Sequence, residues 1–188
     1  MNKILINTPE RNKQLIDSYG RTIDYLRISV TDRCNFRCTY CMPENMKFLP
    51  KDDLLTFEEM DNLCSLFIAR GIKKIRLSGG EPLARKGLID FISNLSRFIS
   101  HGDLKEITLT TNGSLLNKMS KQLYDSGIRR INVSLDTLIK DKFYQITRRD
   151  DLENVINGIM TAKNNGLKIK INTVVIKNKN FNEINEII

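Results

Sequence analysis

The chain has 188 residues, 40% apolar and 28% charged, which suits one soluble domain with a substantial core. It holds no apolar window of about 18 residues and starts without a secretory-type apolar stretch, which excludes a spanning helix and predicts a cytoplasmic protein with no membrane contact. The net charge of +8 is too diffuse to choose between nucleic acid, an anionic metabolite and a solvated surface.

Taken in order, apolar runs of strand length alternate with amphipathic stretches. Strands are predicted over 24–30, 73–78, 105–111, 129–135 and 167–176, and helices over about 56–70, 85–100, 114–126 and 151–165. In the first strand Tyr25, Arg27 and Ser29 alternate with Leu26, Ile28 and Val30. Directly after it comes Cys34-Asn-Phe-Arg-Cys38-Thr-Tyr-Cys41. Three soft thiolates this close can ligate an iron–sulfur cubane while leaving one iron without a protein ligand. A structural zinc site or a ferredoxin-like carrier would need a fourth ligand. The remaining cysteine, Cys64, falls on the apolar face of the first helix, and the single histidine, His101, lies far away in sequence. Four cysteines without a disulfide framework suit a reducing compartment.

The helix over 56–70 opens with Thr56 and Glu59 as a capping box and places Met60, Leu63, Cys64, Phe67 and Ile68 on one face. Gly71, Gly127 and Gly166 each stand between a helix and a strand, and residues 69–78 and 125–134 look like two copies of one joint. After the second strand comes Ser78-Gly79-Gly80-Glu81-Pro82, a tight turn whose paired glycines let backbone approach closely and whose Glu81 could offer a carboxylate. The later strands alternate as the first does. Lys74, Arg76 and Ser78, then Thr108, Thr110 and Asn112, then Asn132 and Ser134, then Lys168, Lys170 and Asn172 interleave with apolar residues. If helices cover the apolar face, the polar set lines an interior whose charges are Arg27, Lys74, Arg76, Lys168 and Lys170, an incomplete barrel suited to an anionic ligand. A two-layer sheet with a solvated polar face gives the same alternation. His101, Arg129-Arg130 and Arg148-Arg149 are expected to be surface features.

Cys34-x3-Cys38-x2-Cys41, with Tyr40 before the last cysteine, resembles the signature of the radical S-adenosylmethionine (SAM) enzymes, and Gly-Gly-Glu-Pro after the second strand resembles their SAM-binding motif. The resemblance implies an α/β fold, the incomplete (βα)6 TIM-like barrel, here cut short after about five βα units. It implies a [4Fe-4S] cluster on Cys34, Cys38 and Cys41, with SAM on the fourth iron, cleaved on reduction to a 5′-deoxyadenosyl radical. Within that superfamily, Asp24-Tyr-Leu-Arg-Ile-Ser-Val-Thr-Asp-Arg-Cys34 and its continuation to Met42-Pro43 are similar to the GTP 3′,8-cyclase (molybdenum cofactor biosynthesis protein A) family. The likeness covers about Gly20 to Val175.

That family converts GTP to 3′,8-cyclo-7,8-dihydro-GTP by attack of ribose C3′ on guanine C8. Carried over by motif, Arg27, Arg76, Thr110 and Lys170 are GTP-contacting positions, and Tyr40, Gly79, Gly80, Glu81 and Ser134 are cofactor-binding positions. Implied partners are GTP, a reductant for the cluster and a downstream cyclic pyranopterin monophosphate synthase, with no nucleic acid and no membrane. Residues 1–19 are expected to form an N-terminal extension and 20–188 the radical SAM core. Phe181, Ile184, Ile187 and Ile188 recur at near-helical spacing without a C-cap, so the chain is expected to stop inside a helix. The family's sixth strand and second cluster, on three further cysteines, are missing from this sequence. An open barrel edge predicts association, a homodimer being one form. Two alternatives stand beside the cyclase: a noncatalytic remnant that binds cluster and SAM or neither, and a radical SAM peptide or protein modifier.

Overall fold

The computed structural model describes residues 14–187. Strands β1 (Tyr25–Ser29), β2 (Lys74–Ser78), β3 (Glu106–Thr111), β4 (Arg130–Ser134) and β5 (Lys168–Asn172) form one parallel sheet in the order β1-β2-β3-β4-β5. Helices α1 (Phe57–Ala69), α2 (Leu88–Ser100) and α3 (Leu116–Asp125) make the first three crossovers. Two helices, α4 (Lys140–Thr147) and α5 (Leu152–Asn164), lie between β4 and β5, and a short α6 (Ile184–Ile187) follows. Strands laid down in sequence order without a reversal make a barrel wall, whereas a doubly wound sheet switches direction part-way. The fold is α/β: five successive βα units of an incomplete TIM-like barrel.

The alternation read from the sequence separates the two faces. Ile75, Leu77, Ile107, Leu109, Ile131 and Val133 are at most 1% exposed and join the helix residues Cys64, Phe91, Leu95, Leu116, Leu123 and Val155 in one core. Each such side chain removed from water contributes roughly 1.5–3 kcal/mol. The opposite face carries the polar set in register. Arg27 pairs with Arg76, Arg76 with Thr108, Thr108 with Arg130 and Arg130 with Lys168, a row of four cations and one threonine. One pleat further along, Ser29 pairs with Ser78, Thr110 with Asn132 and Asn132 with Lys170.

Helix ends follow their local chemistry. Thr56 accepts from the Glu59 backbone N–H at 3.1 Å while the Glu59 carboxylate accepts from the Thr56 N–H at 2.8 Å, closing the capping box. At Gly71 (φ +101°) and Gly127 (φ +110°) the chain turns left-handed, and the next residue donates back into the helix, Ile72 to Phe67 at 3.1 Å and Ile128 to Leu123 at 3.0 Å. These are Schellman closures, and the same bond recurs from Leu167 to Ala162 at 3.0 Å. The two similar joints are one motif used repeatedly.

Several expectations need correction. The fifth strand stops at Asn172, because Val174 N donates at 2.8 Å to the Asp136 carboxylate and Ile176 N at 2.7 Å to Asn180 Oδ1 instead of to a strand. The second helix starts at Leu88 rather than near Arg85; Pro82–Ala84 form a separate 3-10 turn and Arg85 is extended. Leu63, placed on the core face of α1, is 42% exposed. Helix α4 has no counterpart among the predicted elements. Residues 14–23 form a small turn in which Ile16 bridges Thr22, and the rest of the expected N-terminal extension lies outside the described residues, as does Ile188.

Candidate active site

The site is assembled at the carboxyl ends of the strands, where parallel α/β folds keep their ligands. Leaving β1, the segment Thr31–Arg33 is zipped to the turn after β2: Gly80 N donates to Thr31 O at 2.7 Å and Glu81 N to Arg33 O at 2.8 Å. The approach is so close that a Cβ on Gly79 would meet Thr31 O at 2.3 Å and one on Gly80 would meet Arg33 O at 2.2 Å. The two glycines are thus required by the backbone that leads into Cys34. Glu81 faces inward, fully buried; its carboxylate accepts from Leu83 N (3.0 Å), Thr111 Oγ1 (2.7 Å) and Asn112 N (2.7 Å). Burial raises its pKa, and the three donors oppose that rise. The carboxylate that Glu81 could have offered to a ligand is instead taken up in tying the β2 turn to the end of β3.

The cysteine loop docks on α4. The last carbonyls of that helix lack intrahelical donors, and the loop supplies two: Thr39 N donates to Ile146 O at 2.8 Å and Arg37 N to Thr147 O at 3.0 Å. Phe36 is packed edge-on to Phe143 with centroids 5.8 Å apart. Arg148 ends the helix in a left-handed conformation (φ 57°), and Arg149 Nε donates to Asn35 O at 3.0 Å. Glu44, at the far end of the loop, lies 3.5 Å from both Arg148 and Arg149. The Arg148-Arg149 run lies at the surface, as expected, and also clamps the cysteine loop.

Cys34 and Cys38 are half-buried, Cys41 is exposed, and all are free thiols. Burial, with the neighbouring Cys34, Asp136 and Cys41, pushes the Cys38 thiol up to about 12, and burial likewise raises Cys34. Thiols so placed stay neutral until a cation compensates the thiolate charge, which is what a metal centre provides. Among the described residues no group of three His, Cys, Asp or Glu side chains is placed to hold a metal ion. By chemistry the three free thiols on one short loop suit an iron–sulfur cluster, which thiolates would hold. Cys64 is fully buried in the core, as expected.

Tyr40 donates its hydroxyl to Asp136 Oδ2 at 2.7 Å. Ser134 stands at the carboxyl end of β4, half-buried on the polar face, with Thr110 and Lys170 on β3 and β5 of that face. Arg27 Nε donates to Ser78 Oγ at 2.9 Å, and the Arg76 guanidinium stacks 5.5 Å from the Tyr25 ring. Buried Arg76 Nε and Asn132 Oδ1 have no hydrogen-bond partner among the described residues.

The sequence reading missed Arg130. Assigned to the surface with Arg129, it lies on the polar face in the cationic row and holds Glu106 through Nε (3.0 Å) and Nη2 (2.7 Å). The strand alternation, extended one residue toward the start of β4, was the signal that could have found it.

A family model described as the radical SAM superfamily matches residues 28–188. The chain belongs to the radical SAM superfamily. The cofactors of this membership are a [4Fe-4S] cluster and SAM. The chain is 56% identical over 178 residues to the GTP 3′,8-cyclase of Agrobacterium fabrum, covering 95% of this chain and 51% of that protein. It is 58% identical over 174 residues to that of Brucella ovis, covering 93% and 51%. The chain spans about half the length of the curated relatives it matches. Among solved structures, Streptococcus suis SuiB bound to S-adenosylmethionine superposes with a TM-score of 0.70 at 20% identity, covering 87% of this chain and 37% of that one. Native anSMEcpe with bound AdoMet gives 0.66 at 21% identity, covering 86% and 48%. These two likenesses show the fold alone.

Proposed function

We propose that the chain carries the radical SAM site of a GTP 3′,8-cyclase, forming 3′,8-cyclo-7,8-dihydro-GTP for molybdenum cofactor biosynthesis. The observation that carries the substrate half of this reading is the row Arg27, Arg76, Arg130 and Lys168 across four strands. With Lys170 one pleat above and, among the described residues, only Glu106, held by Arg130, to offset it, the row leaves a net cationic face suited to a triphosphate. Arg76 Nε and Asn132 Oδ1 add a buried donor and a buried acceptor on the same face.

When bound, the cluster and SAM supply a radical able to abstract hydrogen. Cys34, Cys38 and Cys41 would hold the cluster. The backbone at Gly79 and Gly80, with Tyr40 and Ser134, would lie along SAM. Arg27, Arg76, Thr110 and Lys170 would bind and orient GTP on the polar face. The β2 turn and α4 keep the loop against the sheet, so the cluster and the polar face share one end of the fold.

A cytoplasmic location, a one-electron reductant, a downstream cyclic pyranopterin monophosphate synthase and a homodimer go with this reading. Among the described residues no helix is long and apolar enough to cross a membrane.

The test is ligand linkage. GTP should raise the melting temperature of the anaerobically reconstituted protein, because a ligand that binds only the folded state stabilises it. A peptide-modifying radical SAM enzyme would ignore GTP, and an unchanged melting temperature at saturating GTP counts against the reading. Cys38→Ala is expected to retain little cluster iron.

A further inference from the structure

We propose that Asn112 is a positioning residue that raises the reduction potential of the cluster through an N–H···S hydrogen bond to Cys34, an inference resting on the radical SAM reading of the three cysteines. The orientation of its amide is fixed by its neighbours. Ser114 N, which can only donate, points at Asn112 Oδ1 from 3.0 Å, so the other end of the amide is Nδ2. That nitrogen has two hydrogens and two acceptors: Asn35 Oδ1 at 2.8 Å and Cys34 Sγ at 3.8 Å. Asn35 Nδ2 donates to Ser114 Oγ at 2.8 Å, and Ser114 Oγ donates to Asn112 Oδ1 at 2.7 Å, closing a ring of three side chains. The backbone of Asn112 is held in turn by buried Glu81, which accepts its N–H at 2.7 Å. A rigid support therefore aims one N–H at one cysteine sulfur.

The chemistry follows from charge. A hydrogen bond to a cluster thiolate stabilises most the oxidation state carrying more negative charge, which is the reduced one, so reduction becomes easier. Cys34 also accepts from Phe36 N at 3.4 Å. Among the described residues no side-chain donor reaches Cys38 or Cys41, so Cys34 is the sulfur singled out. Asn112 would lower the demand on whatever one-electron donor reduces the cluster.

The test is the midpoint potential of the reconstituted cluster, titrated anaerobically with dithionite without SAM or GTP and followed by electron paramagnetic resonance. Asn112→Ala is expected to carry full iron and sulfide with a midpoint shifted to more negative potential. Asn112→Leu, close in volume and uncharged, also lacks the donor and should shift in the same direction if the alanine variant folds poorly. Ser114→Ala opens the ring but keeps the residue-114 backbone N–H on Asn112 Oδ1 and the Asn112 N–H on Glu81, so the amide still faces Cys34 and the potential should stay near that of the unsubstituted protein. Fully loaded Asn112 variants with an unchanged midpoint, or an equal shift in Ser114→Ala, would overturn the proposal. Failure of the unsubstituted protein to take up any cluster would overturn the cysteine reading beneath it.

Discussion

Tyr40 and Asp136, separated by 96 positions in sequence, are joined by a 2.7 Å hydrogen bond from the phenol to Oδ2. The same carboxylate accepts from Val174 N through Oδ1 at 2.8 Å, so one buried side chain ties the cysteine loop, the end of β4 and the segment after β5 together. Burial, the hydrogen bond to Asp136 and its negative charge all raise the pKa of the Tyr40 hydroxyl, which remains a donor at every physiological pH.

Asp136→Ala leaves both donors without a partner and should cost about 2–3 kcal/mol of folding stability, the range for hydrogen bonds to a buried charged group. Asp136→Asn, which keeps one acceptor, should cost less. Urea unfolding of the two variants measures the difference; equal stability in both would show that the bridge carries little.

Gly80→Ala places a methyl 2.2 Å from Arg33 O, a contact with backbone rather than with a side chain that could swing away. The expected loss is about 2 kcal/mol or more, accompanied by weaker cluster retention because the displaced segment leads into Cys34. Iron content per chain after desalting, compared at matched folded fraction, reads the second effect separately from the first.

The sheet and its two faces were readable because strand alternation is local: Lys74, Arg76 and Ser78 against Ile75 and Leu77 needed no tertiary knowledge. The cysteine loop was equally legible, since its chemistry lies in one short run. Helix α4 was not, because Ile139 gives it no side-chain cap and only Phe143, Ile146 and Thr147 of its eight residues are buried. Its stability comes from packing against Phe36 and from loop donors distant in sequence. Arg130 was misread, and the inward turn of Glu81 went unread, for a related reason. Whether a charged side chain turns inward depends on partners such as Thr111 and Glu106, which spacing along the chain does not reveal.

Arg76 sits within the row with a buried Nε that has no hydrogen-bond partner among the described residues. Arg76→Ala should weaken GTP binding roughly 10- to 100-fold, the equivalent of one charge-assisted contact to phosphate, while uncoupled SAM cleavage persists. Equilibrium dialysis with GTP measures it, and unchanged affinity would remove the cationic row from the substrate site.

The Glu106–Arg130 pair predicts a pH dependence. The hydrogen bonds from Arg130 hold the Glu106 carboxyl below its ordinary value of 4.5, against the opposing effect of burial. A depressed folded-state pKa means that the stabilisation is present above the unfolded value and is lost as pH falls through the folded one. Glu106→Gln should therefore be less stable than the unsubstituted protein near about pH 7, with the gap narrowing below about pH 4. A gap that stays constant across that range would show that Glu106 does not titrate with folding.

On the proposed function, a radical generated at the cysteine loop acts on GTP held on the polar face. The most direct measurement is mass spectrometry of 5′-deoxyadenosine formed by the reconstituted, reduced protein with SAM and GTP deuterated at ribose C3′. 5′-Deoxyadenosine carrying one deuterium is the expected product. Fully loaded protein that releases only unlabelled 5′-deoxyadenosine, or none, would contradict the proposed function.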